Sequence, residues 1–385
     1  MRALILESDA SRGSLAAARS LARAGYSVDV GHPPGPSLAA SSRAVRSSVD
    51  LPPLETGLEA YLDVVARIVG ERGYDLVLGA GDAEVLALSL GRDAVPAVVP
   101  HPKYAVLVAA MDKWQLHEAA LSVGVSSPET ERDVTGNTVA GWLREGPVVI
   151  KPRLHWNPEQ PLAPLRLEAG VAATMDDVRH LARAITSEGA AAVAQRFVSG
   201  RLRAYATVRD EHGGVAAQVQ QRAVHTWPEP VGVSARAVTE RVEPELAAAS
   251  HRLLDRLGMQ GLAELQFLVD AQGRHHLIDL NARFYGSLQL AVSAGADLPR
   301  IWADQALGQL PESGAPVTAR PDVRYQWLEG DLRRGLAQGG LRAAAGCLIH
   351  APRAHHSIWH PADPRPALGK AAELGRRALR RMGQS

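Results

Sequence analysis

Cysteine is all but missing: Cys347 is the only one in 385 residues. A lone thiol excludes a disulfide framework and fits a reducing compartment. Neither sign of charge is in excess. With 42 basic against 41 acidic residues the net charge is +1, which gives no electrostatic case for nucleic acid or an anionic membrane. Long apolar runs are lacking as well. The opening MRALILESD is too short for a secretory leader, and no stretch approaches a membrane span. The expectation is a cytoplasmic protein with neither a nucleic-acid nor a membrane partner. No G-x-S-x-G elbow is present to present a nucleophilic serine. Lysine is the scarcest of the charged residues: Lys103, Lys113, Lys151 and Lys370 are the only four among the 42 basic ones. Arginine serves wherever a generic cation will do, so a retained lysine marks a place for a compact ammonium donor.

The length suits two or three subdomains. Residues 2–6 read as a buried strand, Ser11 to Ala24 as a helix stopped by Gly25, and Tyr26–Val30 as a second strand. The intervening loop ESDASRG has only Gly13, not the glycine triad that lets a backbone approach a pyrophosphate, which argues against a dinucleotide. Tyr61 to Arg72 reads as a helix and Asp75–Gly79 as a strand, with Asp82 placed to cap the helix that follows. Further on, a helix is expected over Met111–Val123, a buried strand over Pro147–Pro152, and a helix over Met175–Glu188. Strands are expected at Arg203–Val208 and Val215–Gln220, a loop over Pro228–Arg236, and an amphipathic helix over Pro244–Leu257. His355, His356 and His360 lack the helical i, i+4 pair and third ligand of a zinc site.

The most informative stretch is GLAELQFLVDAQGRHHLIDLNARFYGSLQL, residues 261–290. It has the alternation of a β-hairpin running into a loop and helix. A turn centred on Gln272–Gly273 pairs Gln266 with Asp279 and Glu264 with Asn281. One face then carries a cluster of oxygen donors with Arg283 at its end, which is the chemistry Mg²⁺ favours. A solvated sheet face is the bland alternative.

Asp279-Leu280-Asn281-Ala282-Arg283 resembles the metal-binding signature of ATP-grasp ligases, with Asp where that family usually has Glu. Gln266 matches the glutamine ligand of the carbamoyl phosphate synthetase branch. Asp112-Lys113 followed by Gly124-Val125-Ser126-Ser127-Pro128-Glu129-Thr130 is similar to the first lysine element of the family, and PVVIKP, ending in Lys151-Pro152, to the second. AAVAQRFVSG, residues 191–200, resembles the hinge against which adenine rests. The loop after Lys151 has no glycine until Gly170, and the acidic ribose contact beyond Gly200 is missing.

The resemblance implies an α/β (α+β core) ATP-grasp fold. It divides the chain into a Rossmann-like domain (1–102), a first ATP-grasp subdomain (103–190), a second one with the metal hairpin (191–312) and a C-terminal extension (313–385). It implies ATP at Lys113, Lys151, Gln195, Arg196, Phe197 and Val198, and Mg²⁺ at Gln266, Asp279 and Asn281. Two ions are expected, with Mn²⁺ as a substitute. Arg283 and Arg222 are the implied catalytic cations, and His155, Trp156 and Ser234 belong to an implied phosphate or substrate loop. The function implied is ADP-forming carboxylate–amine ligation through an acyl phosphate, on small-molecule substrates and in a chain that can be a homodimer. An ATP-dependent carboxylation or carbamoyl-phosphate-type reaction, or an inactive nucleotide-binding module, are the alternatives.

Overall fold

A computed structural model describes residues 1–8, 11–154, 167, 169–310 and 314–382, with backbone alone for 377–382. The amino-terminal layer runs β1 (Arg2–Leu6), α1 (Arg12–Arg23), β2 (Ser27–His32), β3 (Val45–Asp50), α2 (Leu58–Arg72), β4 (Leu76–Gly79) and α3 (Asp82–Leu90). Its strands pair in parallel in the order β3-β2-β1-β4. RALIL and LVLG are apolar throughout because a parallel sheet is covered on both faces. Ser11 caps α1, its side chain accepting from Ser14 N. β3 was not legible: its burial alternates and it carries two serines and two charges.

Next come α4 (Tyr104–Met111) and α5 (Lys113–Ser122). The single helix expected from Met111 is thus a new helix beginning at Lys113. Asp112 is extended there, and its side chain accepts from the Trp114 and Gln115 amides as the N-cap. A small antiparallel sheet follows, from β5 (Thr130–Glu131), α6 (Asn137–Trp142), β6 (Val148–Pro152), β7 (Gly170–Ala172), α7 (Met175–Thr186) and β8 (Ala192–Arg196), ordered β5-β8-β6-β7. It has a core of its own around Val139, Ile150, Val178 and Ile185.

The large sheet is built from β9 (Arg201–Arg209), β10 (Val215–Trp227), β11 (Val233–Glu240), β12 (Gly261–Val269) and β13 (His275–Asn281). β11 occupies part of what reads as a loop; only residues 228–232 between β10 and β11 lie outside a strand. α8 (Pro244–Leu257) covers one face of this sheet, while α9 (Leu288–Ser293) and α10 (Leu298–Ala306) join it to the amino-terminal layer. The chain continues through β14 (Val317–Thr318), β15 (Arg324–Gln326), α11 (Leu328–His350, kinked at Gly339–Gly340), β16 (His355–His356) and α12 (Arg365–Met382). β15 pairs with β11, so residues beyond 313 extend the large sheet. The order along it is β13-β12-β9-β10-β11-β15-β16, with β14 beside β10.

The hydrophobic core is continuous between the amino-terminal layer and the large sheet: Ile5 and Leu78 share a cluster with Val208, Leu262 and Trp302. Among the described residues no helix is long and apolar enough to cross a membrane.

Candidate active site

β12 and β13 carry the site. Glu264 pairs with Asn281 and Gln266 with Asp279, the register expected from alternation. The turn itself is one residue out of that register, since Phe267 pairs with Leu277 and Val269 with His275. A bulge between Gln266 and Phe267, with Ile278 as the extra residue of β13, restores it. The bulge lets Leu277 and Leu280 both reach the core, and it frees the Ile278 carbonyl to accept from Lys151 Nζ at 3.2 Å.

Lys113, at the first turn of α5, is buried and forms an ion pair with Asp279 Oδ1. The Asp112 cap is clamped by Arg153, whose Nε lies 2.8 Å from Asp112 Oδ2, and this fixes the start of α5. Burial, with the neighbouring Lys113 ammonium, pushes the Lys151 pKa down to about 7, against the opposing pull of Asp279. Both lysines therefore converge on the hairpin, as their scarcity suggested.

Glu264 lies at the centre of the oxygen face and is 2% exposed. It accepts from Gln266 Nε2 at 3.1 Å and from Asn281 Nδ2 at 3.0 Å. Since both amides turn their NH₂ groups to Glu264, each presents its oxygen away from that carboxylate. Burial raises the Glu264 pKa to about 7, against those two hydrogen bonds and the charge of Arg283. Glu264 was readable as a member of this face by its two-residue spacing from Gln266, but nothing in the spacing marks it as the orienting group.

Arg283 pairs with Asp82 through Nε at 2.5 Å and Nη2 at 3.2 Å. Burial acts to lower its pKa, yet Asp82, Asp279 and Glu264 together raise it above the ordinary arginine value. Asp82 is thus not the cap of α3. Gly81 holds that position, with its N–H donated to Glu84, and Asp82 instead ties the amino-terminal layer to the hairpin.

Several expected residues fall elsewhere. Arg222 is on the opposite face of the sheet from Gln221 and Ala223, which line the cavity. It is 45% exposed on its side chain and paired with Glu240 at 3.1 Å. The alternation of β10 decides this, so Arg222 is not brought to the site. The Gln195 side chain is buried and donates to Thr130 Oγ1 at 2.9 Å. Arg196 donates its backbone N–H to Glu129 O and its side chain pairs with Glu129 and Glu145. Neither side chain is available to a nucleotide, which leaves the backbone of Phe197 and Val198 just past the end of β8. His155 and Trp156 lie outside the described residues. Ser234 does line the cavity.

That cavity, about 370 Å³, runs from Asp279, Asn281 and Gln266 to Ser11 and Arg12 of the amino-terminal layer. Arg12, Gln221 and Ser287 meet there from distant parts of the chain, and no sequence signal pointed to them. Among the described residues no group of three or more His, Cys, Asp or Glu side chains could hold a metal. A cation here would need carboxylate, amide and phosphate oxygens together. Gln266, Asp279 and Asn281 fit Mg²⁺ in this way, since that ion takes one or two carboxylates and fills its shell with water and phosphate.

A family model described as "ATP-grasp in the biosynthetic pathway with Ter operon" matches residues 211–331. The chain resembles the crystal structure of L-amino acid ligase from Bacillus licheniformis with a TM-score of 0.63 at 18% identity, over 84% of this chain and 78% of that one. N5-carboxyaminoimidazole synthetase from Staphylococcus aureus, complexed with ADP, gives 0.63 at 12%, over 84% and 80%. Biotin carboxylase from Campylobacter jejuni gives 0.63 at 14%, over 84% and 74%. A comparison of the sequence with curated proteins finds no match. The fold is the ATP-grasp fold, with an α/β layer at its amino terminus, as the resemblance implied.

Proposed function

We propose that this protein is an ADP-forming carboxylate–amine ligase that works through an acyl phosphate. The observation that carries the reading is the convergence of Lys113 and Lys151, from separate elements, on Asp279 and its neighbouring carbonyl. ATP would be held by these two lysines and by the backbone of Phe197 and Val198. Mg²⁺ would be held by Asp279, Gln266 and Asn281, and when bound it supplies charge neutralisation for the transferring phosphoryl group. Lys113 and Arg283 bring fixed positive charge to the place where two anions must meet. Glu264 orients the two amide oxygens. The large-sheet cavity holds the substrates so that the second step is effectively intramolecular. In the first step a carboxylate oxygen takes the terminal phosphoryl group and ADP leaves. In the second, an amine nitrogen bonds to the acyl carbon, the carbon–oxygen bond to phosphate breaks, and the amine proton goes to solvent.

A carboxylate labelled with ¹⁸O tests this. One label should pass to inorganic phosphate, with ADP formed in equal amount. Formation of AMP and pyrophosphate dependent on both substrates would sink the reading. The similarity to N5-carboxyaminoimidazole synthetase and biotin carboxylase, at the same TM-score as the amino acid ligase, supports a second reading, ATP-dependent carboxylation. ADP formation that needs bicarbonate would favour it.

A further inference from the structure

The end of the cavity away from the hairpin has chemistry that the ligase reading does not use. Arg12 lies flat on Trp327, its guanidinium carbon 3.9 Å from the ring centroid, and Nη1 is 3.4 Å from the Tyr325 hydroxyl. Among the described residues it meets no carboxylate. A stacked guanidinium keeps its edge free for two parallel bonds to an oxyacid. Two glycines make this placement possible. A Cβ at Gly286 would lie 2.7 Å from Arg12 Nη2, and one at Gly13 would lie 2.9 Å from the backbone of Phe284 and Tyr285. The first turn of α1 and the segment after the hairpin are thus in direct contact at this end.

The second observation is independent. Gln221 is 4% exposed and spends its Nε2 on Ser287 Oγ at 2.7 Å. Its Oε1 is buried without a hydrogen-bond donor, and flipping the amide would only exchange one loss for another. The Tyr285 hydroxyl, 2% exposed, is likewise without a partner. Both residues line the cavity. Buried polar atoms in folded proteins are almost always paired, so an unpaired acceptor and hydroxyl beside an acid-free guanidinium call for a ligand. That ligand has an anionic oxyacid for Arg12 and an N–H donor for Gln221. The cavity's 370 Å³ is at the small end of metabolite sites, and far larger than bicarbonate needs.

We propose that the amine substrate of the ligase is an α-amino acid, its carboxylate held by Arg12 and its amino group by Gln221 Oε1, facing the Asp279 end. This rests on the ligase reading and names one of its two substrates.

The test is thermal denaturation of the full chain with each of the common α-amino acids, with their α-amides and with their N-acetyl forms. Mg·ATP serves as the control ligand throughout. At least one free amino acid should raise the melting temperature, while its amide and its N-acetyl form should not. Arg12→Gln should weaken that amino acid by about tenfold or more while keeping the response to Mg·ATP. Gly286→Ala, which retains Arg12 but displaces it, should do the same. Three outcomes would overturn the proposal: no amino acid acts on the parent, the amide acts as well as the acid, or both variants respond like the parent. Loss of the Mg·ATP response in the parent would remove the ligase reading itself, and the proposal with it.

Discussion

At the scale of single residues, the decisive groups are Asp279, Lys151 and Glu264. Asp279→Asn keeps the shape of the hairpin face but removes the charge that a divalent cation and Lys113 both use. Its activity should fall about a hundredfold, the size of one lost electrostatic contact in a transition state, while circular dichroism stays unchanged. Gln266→Ala should lose less, because water can replace a neutral ligand. Glu264 and Lys151 titrate out of place in opposite senses. Glu264 has a folded pKa of about 7, above the unfolded carboxyl value of about 4.3. The folded chain therefore holds more protons across this window, and stability in the absence of ligand should fall as pH rises from about 4.5 to 7. Urea unfolding of Glu264→Gln should show that slope flattened; an unchanged slope would remove Glu264 as its source. Lys151 is lowered to about 7, so at pH 8 it is mostly neutral. An anionic nucleotide favours its charged form, so calorimetry at pH 8 in buffers of different ionisation enthalpy should show proton uptake on ATP binding. Lys151→Arg, always charged, should abolish that uptake.

At the scale of elements, the hairpin was legible and the capping around it less so. Alternation alone places Glu264, Gln266, Asp279 and Asn281 on one face, because a strand's period is fixed by its pleat. The register at those four residues came out right although the turn is one residue off, since the bulge at Ile278 compensates. A bulge has no sequence signature here, and the bond from Lys151 to the Ile278 carbonyl depends on it. β11 and α4 were not recognised. The first starts after a run of prolines and glycine, and the second is apolar on every side, so neither has a periodic stripe to read. Asp112 shows how a cap serves a site: it begins α5, binds Arg153 and so sets Lys113. Asp112→Ala should lower stability by about 1–2 kcal/mol in urea unfolding, and should weaken ATP further through Lys113.

At the scale of the whole molecule, the site is assembled from segments that the sequence cannot bring together by pattern. Motif spacing reached Lys113, Lys151 and the hairpin, since each sits in a recognisable local frame. It could not reach Arg12, Asp82 or Gln221, which meet the hairpin only through the packing of α1, α9 and α10 into one core. It also misplaced Arg222, where one step of alternation moves a side chain to the other face of the sheet. The Asp82–Arg283 pair is the polar tie between the amino-terminal layer and the hairpin, about three-quarters buried on both sides. Asp82→Asn should destabilise the chain by about 1–3 kcal/mol, read as a lower urea midpoint, and Mg·ATP should recover part of that by binding only the folded state. The central claim is that the hairpin face, with Lys113 and Lys151, is a Mg·ATP site. Its most direct test is calorimetric titration of Mg·ATP into the parent, Asp279→Asn and Lys151→Met. The account predicts saturable binding to the parent and affinities about tenfold or more lower in both variants; no heat with the parent, or equal affinities in all three, would contradict it.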